Sequence, residues 1–185
     1  MKNLIIIIFL ILIVPAKITN RAMAELLFRD NFQDTTQWRF VSDEVMGGRS
    51  SGSVAYAKKN GMHIALLSGN VTTENNGGFI QIRKDLQNID LKKARFLKIT
   101  AKGNNQKYFI HLRTSWMMFP WQYYQTEFYV RRAFKEFNIP ISQFRRSDFL
   151  LSKSITPKNI ISIGLVAFGR DHRAELSVKE IAFYK

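Results

Sequence analysis

Short runs in which apolar and polar residues alternate recur along this chain, separated by turn residues rather than by helical stretches. Residues 53–58 and 62–67 flank Asn60-Gly61, and Asn-Gly between two such runs predicts a hairpin because both central residues accept positive φ. In 79–83, Ile80 and Ile82 alternate with Gln81 and Arg83. In 96–101, Leu97, Ile99 and Ala101 alternate with Lys98 and Thr100. The run 107–114 places Tyr108, Ile110 and Leu112 on one face, and Gly103, Asn104 and Asn105 supply the turn before it. The aromatic and β-branched stretch 121–130 reads as a strand, and 160–168 as a mostly apolar central strand. In 175–183, Leu176 and Val178 fall in one phase and Ile181 and Phe183 in the other, which predicts a β-bulge. Helical periodicity is weak, and the best candidate for a short helical turn is 140–149. About eight short strands with frequent turns predict an all-β fold, an antiparallel β-sandwich of jelly-roll type, with a closed barrel as the alternative.

The first 24 residues read differently. Lys2 precedes an unbroken apolar run from Leu4 to Val14, Pro15 ends it, and Ala22-Met23-Ala24 supplies small residues two apart. That layout predicts a signal peptide over 1–24, an exported chain in a periplasmic or extracellular setting, and a single domain over 25–185. A membrane-crossing helix needs about 20 apolar residues, more than this run provides. Removing Lys2, Lys17 and Arg21 from the 28 basic residues leaves 25 against 14 acids, a formal charge of +11. Such a field favours acidic partners, including an acidic membrane surface. The basic residues are scattered apart from pairs such as Lys92-Lys93, so nucleic acid is not among the expected partners. The sequence has no cysteine, which excludes thiolate catalysis and zinc-thiolate sites.

Three stretches carry candidate chemistry. The first holds Asp43, Glu44, Gly47, Gly48, Arg49 and Ser50. Its glycines permit a tight turn, and Arg49 is placed to fork onto Asp43 or Glu44. These residues suit a ligand or metal site, or a self-satisfied polar turn that fixes strand geometry; on the second reading, removing Arg49 strands a carboxylate and lowers stability. Were Asp43 and Glu44 on a strand, they would point to opposite faces. The second stretch holds Glu74 and Asn75 before Gly77-Gly78, and leads into a strand that carries Arg83. A strand, not a helix, follows the glycines, so a structural turn fits better than a phosphate cradle. The third stretch runs from Trp116 to Trp121 and contains two Trp, two Met, one Phe and one Pro between two predicted strands. In a loop such residues stay partly exposed, which marks a contact surface; the alternative is that the loop folds back into the core.

The first two stretches, in this order, resemble the complex I intermediate-associated protein 30 family. Trp38, Tyr123-Tyr124-Gln125, Ile139-Pro140 and Ile163-Gly164-Leu165 add to the resemblance. Residues 170–176 lack the Gly-Pro-Phe character of the family before its last strand. The resemblance implies a galactose-binding-like jelly roll and a non-catalytic, chaperone-like assembly role, and it supplies no catalytic residues.

The three histidines, His63, His111 and His172, form no metal-ligand spacing, and neither a dinucleotide-binding glycine motif nor a P-loop is present. The expectation is therefore a binding module, not an enzyme, without cofactor or metal, whose partner is a protein or a glycan. The first reading is a complex I assembly factor, exported in this case; the alternative is a carbohydrate-binding module of the cell envelope.

Overall fold

A computed structural model describes residues 24–185. The predicted signal peptide lies outside the described residues, apart from its last position. Twelve strands are present among these residues, and every pairing is antiparallel. They are β1 (Leu26–Asp30), β2 (Trp38–Ser42), β3 (Ser51–Lys59), β4 (Met62–Val71), β5 (Phe79–Asp85), β6 (Phe96–Gly103), β7 (Lys107–Thr114), β8 (Tyr124–Tyr129), β9 (Lys135–Pro140), β10 (Arg145–Arg146), β11 (Ile160–Phe168) and β12 (His172–Tyr184). One sheet runs β3-β4-β12-β6-β9, with β1 also on β12; the other runs β10-β8-β7-β11-β5-β2. The two form a jelly-roll sandwich, and no described helix is long and apolar enough to cross a membrane.

The core follows the alternation in the sequence. Ile80 and Ile82, Tyr108, Ile110 and Leu112, and Leu97, Ile99 and Ala101 are all buried between the sheets. Burying each aliphatic side chain contributes about 1.5–3 kcal/mol. Asn60 and Gly61 both take positive φ at the β3–β4 turn, so Lys59 faces Met62 and the register of the hairpin is fixed. In β12 the register against β6 shifts between Val178 and Glu180. This bulge keeps Leu176, Val178, Ile181 and Phe183 all inward, despite their change of phase.

Two expectations are corrected, and the setting of Asp43 and Glu44 is resolved. Residues 140–149 form no helix beyond a 3-10 turn at Ile141–Gln143; β9 ends there and β10 follows at once. The strand expected from Trp121 begins only at Tyr124, because backbone carbonyls at 119, 120 and 122 are drawn to the Arg113 side chain. Asp43 and Glu44 lie on a 3-10 turn, Asp43–Met46, and not on a strand.

Candidate functional site

Asp43 organises both glycine-containing motifs. Its turn buries it completely and leaves Glu44 exposed, with Ser42 Oγ donating to Glu44 at 3.1 Å. The Asp43 carboxylate accepts from the Ser50 amide at 2.8 Å, the Phe79 amide at 3.1 Å, the Gly78 amide and the Ser50 hydroxyl. The Ser50 hydroxyl in turn accepts from the Thr72 amide at 3.0 Å, tying the turn to the end of β4. A Cβ at Gly48 or at Gly77 would land on the Asp43 carboxylate, so the two glycine pairs exist to let one buried acid be wrapped by backbone. Burial pushes the Asp43 carboxyl upward, but the hydrogen bonds from Gly78, Ser50 and Phe79 outweigh it and hold the group below its ordinary range.

Arg49 does not reach Asp43 or Glu44. It pairs with Glu74 at 3.1 Å, both side chains being well exposed, because the wrapped backbone already saturates Asp43. Asn75 adds a hydrogen bond to the Gly47 carbonyl at 3.3 Å. The motif is a self-satisfied structural knot.

Beside the knot, on the outer face of the second sheet, lies a cleft of about 410 Å³. Strand pairing sets its floor. Arg39, Arg83, Gly164, His111 and Gln125 stand opposite one another on β2, β5, β11, β7 and β8, so all project to this face, and the middle three, Arg83, Gly164 and His111, line the cleft. Ser162 pairs with Arg113 in an adjacent row and accepts from Arg83 at 3.2 Å. Gly164 makes room for the Gln81 side chain, which lies over the middle of the floor and lines the cleft. Tyr123 stacks on His111 with centroids 3.9 Å apart and planes 8° apart, and Phe168 meets both rings edge-on. Val45 and Met46 of the knot and Met118 and Trp121 of the following loop also line the cleft.

His111 is nine-tenths buried, and its Nε2 and the Gln125 Oε1 are shut off from solvent with no partner but each other. Burial lowers the His111 pKa to about 3, with Gln125 opposing the shift, so the ring is neutral at physiological pH. Arg83 is lowered chiefly by burial, then by the neighbouring charges of Arg113 and Arg39, with exposed Asp85 acting the other way.

The 115–123 loop is pinned rather than loose. Arg113 donates to the carbonyls of Phe119, Pro120 and Gln122 at 2.7–3.0 Å, and Gln122 Oε1 accepts from the Met118 and Phe119 amides. Trp121 stacks on Phe119 at 4.7 Å and remains half exposed on the cleft wall. Trp116 is 76% exposed but does not line the cleft. Met117 packs on the core, so the loop is part contact surface and part core.

Of the residues singled out in the sequence, Arg83 and Trp121 reach the cleft. Asp43, Gly48 and Ser50 are buried in the knot or built against it; Gly47 ends its turn, and Glu44, Arg49, Glu74 and Asn75 lie on its surface. Sequence reasoning missed His111, Arg113 and Phe168 as site residues. The available signal was strand phase: if Tyr108, Ile110 and Leu112 face the core, His111 and Arg113 face the other way.

A broader depression of about 1000 Å³ lies beside Asp30, Asp34 and Lys84. Its buried ionic groups are already engaged: Lys84 pairs with Asp30 at 2.9 Å, and Trp38 Nε1 donates to the same carboxylate at 3.1 Å. Among the described residues no three His, Asp or Glu side chains group as metal ligands would.

The fold is similar to that of the family 11 carbohydrate-binding module from a cellulosomal cellulase of Clostridium thermocellum, with a TM-score of 0.69 at 16% identity over 88% of this chain and 95% of that one. The same module in complex with a β-1,3-1,4-mixed-linked tetrasaccharide gives 0.70 at 18% identity, covering 88% and 96%. A family 30 carbohydrate-binding module gives 0.55 at 12% identity, covering 88% of each chain. Among curated proteins no sequence relative matches. The family model of complex I intermediate-associated protein 30 (CIA30) matches residues 26–178, which span the knot, the cleft and both sheets, and the chain belongs to that family.

Proposed function

We propose that this chain is a non-catalytic glycan-binding module, with the ligand held in the cleft on the second sheet. The observation that carries this reading is the combination on one sheet face of flat rings and unspent polar groups. Tyr123 and Trp121 offer surfaces for the apolar face of a pyranose, and Arg83 and Gln81, which line the same cleft, offer groups for its hydroxyls. Sandwich neighbours that are carbohydrate-binding modules, one of them holding a tetrasaccharide, support it. The non-catalytic part is supported by the lining of the cleft. No Asp or Glu lines it, whereas glycoside hydrolysis ordinarily uses two carboxylates. Export through the leader-like residues 1–24 would place the module at the cell envelope, where polysaccharide is abundant.

The test is calorimetric titration with a panel of oligosaccharides, starting with the mixed-linked β-glucan tetrasaccharide. Trp121→Ala and Tyr123→Ala each lower affinity about three- to ten-fold, the worth of one aromatic contact, without loss of fold. Failure of every glycan to bind, or unchanged affinity in both variants, contradicts the reading.

A second reading, the protein contact of an assembly factor, is favoured by family membership and by the exposed Trp116 and Met118. The two readings part at Trp116. Its replacement by Ala leaves glycan binding intact but weakens a protein interface that uses the loop tip.

A further inference from the structure

The charge of the cleft is one-sided. Arg83 and Arg113 line it and no acid does. Among the described residues neither guanidinium forms an ion pair: Arg83 bonds to the Ser162 hydroxyl, and Arg113 to three backbone carbonyls. Some cations elsewhere find carboxylates, as Lys98 does with Glu180 at 3.0 Å, and others, such as Arg131 and Arg145, are exposed to solvent, whereas Arg83 and Arg113 are half-buried. Arg39, next in the row to Arg83, is exposed and also lacks an ion-pair partner among the described residues. Holding half-buried guanidiniums side by side without a counter-charge is unfavourable, and an anion bridging them relieves both the repulsion and the unmet donors. Next to them, the neutral His111 lines the same cavity and adds no charge of either sign. Neutral sugar groups would meet the histidine, but only an anion answers the arginines.

We infer that the cleft takes an anionic glycan, a chain whose sugars carry carboxylate or sulfate groups, with one such group seated against Arg83 and Arg113. The inference rests on the glycan reading above and names the class of sugar. The rings hold the pyranose faces, and the acidic substituent meets the two arginines that line the same cleft. The rest of the surface is also positively charged, so specific recognition must be separated from bulk attraction, which salt screens.

The test compares oligogalacturonate with its methyl ester, which differs only in charge, together with oligomannuronate, a heparin-derived tetrasaccharide and the neutral β-glucan tetrasaccharide, by calorimetry at about 0.15 M salt. At least one of the acidic oligosaccharides binds about ten-fold or more tighter than the neutral ones, the effect of one charge-assisted contact. Carboxylate or sulfate preference is read from which acidic probe leads. Arg83→Gln removes most of that preference. Arg39→Gln, at an exposed position, reduces it less and serves if the first variant does not fold. Lys58→Gln combined with Lys59→Gln, on exposed β3 of the other sheet, removes more charge and leaves the preference intact. Neutral and acidic sugars binding alike overturns the inference and leaves the glycan reading standing. An equal loss in the Lys58/Lys59 variant reduces the effect to bulk charge and also overturns it. Polyglutamate binding the cleft as tightly as the acidic sugars points to an acidic protein instead. No binding by any oligosaccharide removes both readings.

Discussion

Two polar regions lie side by side in this molecule, and they differ in whether their hydrogen bonds are spent. Asp43 in the knot is fully buried and accepts from three backbone amides and a hydroxyl. The neighbouring cleft is lined by Arg83 and Arg113 and by no acid, and neither arginine forms an ion pair among the described residues. Buried polar groups are nearly always satisfied, so a satisfied cluster reads as architecture and an unsatisfied one, facing a cavity, reads as a place for a ligand. The knot looks more like a site in the sequence because its unusual residues are contiguous. The cleft is the better candidate because its groups are unspent.

The largest expected effect falls on the knot. Asp43→Ala strands four donors, each costing about 1–3 kcal/mol when buried, and partial relaxation leaves a net loss of about 3–5 kcal/mol in denaturant unfolding. The folded pKa of Asp43 lies below its ordinary value of 3.8. Its stabilising contribution is therefore complete above that value and lost as pH falls through the folded pKa. A parental-like melt for Asp43→Ala, with binding lost, would turn the knot into a site and break the comparison.

The next effect belongs to the cleft. The folded pKa of His111 is lowered from 6.5 to about 3, so the unfolded chain takes up this proton first. Stability then falls as pH drops from about 6.5 towards 4, with a slope approaching 1.4 kcal/mol per pH unit from this group. His172, also lowered by burial, adds a slope of the same sign. His111→Phe, which keeps a ring against Tyr123, flattens the curve in that window, as followed by thermal melts at a series of pH values. An unchanged slope means that His111 is solvated.

The smallest effect is at Arg49. Its pair with Glu74 is exposed on both sides, so Arg49→Ala costs less than about 1 kcal/mol. A loss as large as that of Asp43→Ala would show that Arg49 supports the buried carboxylate after all.

Much of the fold was legible because β-strand alternation has only two phases. Ile80/Ile82 and Tyr108/Ile110/Leu112 declared their buried face, Asn60-Gly61 declared the hairpin, and the change of phase after Val178 declared the bulge. The short strands β1, β2, β9 and β10 were not, since Leu26–Asp30, Trp38–Ser42, Lys135–Pro140 and Arg145–Arg146 carry too few alternating positions. The knot was legible as a polar turn but not in its wiring: Asp43 is served by residues 35 and 36 positions away, pairings that only the sheet topology creates. The cleft was harder still. Arg39, Arg83, Gly164, His111 and Gln125 come from five strands and become a row only once the registers are set. Read singly, His111 is an isolated histidine and Arg83 one cation among 28.

The central claim, that the open cleft and not the knot receives the ligand, is tested most directly by NMR titration of the labelled protein with the tightest-binding tetrasaccharide. The account predicts shift changes at the Trp121 indole, the His111 ring, the Arg83 side chain and the amides around Gly164, with the Gly48, Ser50 and Gly78 amides moving little. Changes centred on Ser50, Gly78 and Arg49, with the cleft silent, would contradict it.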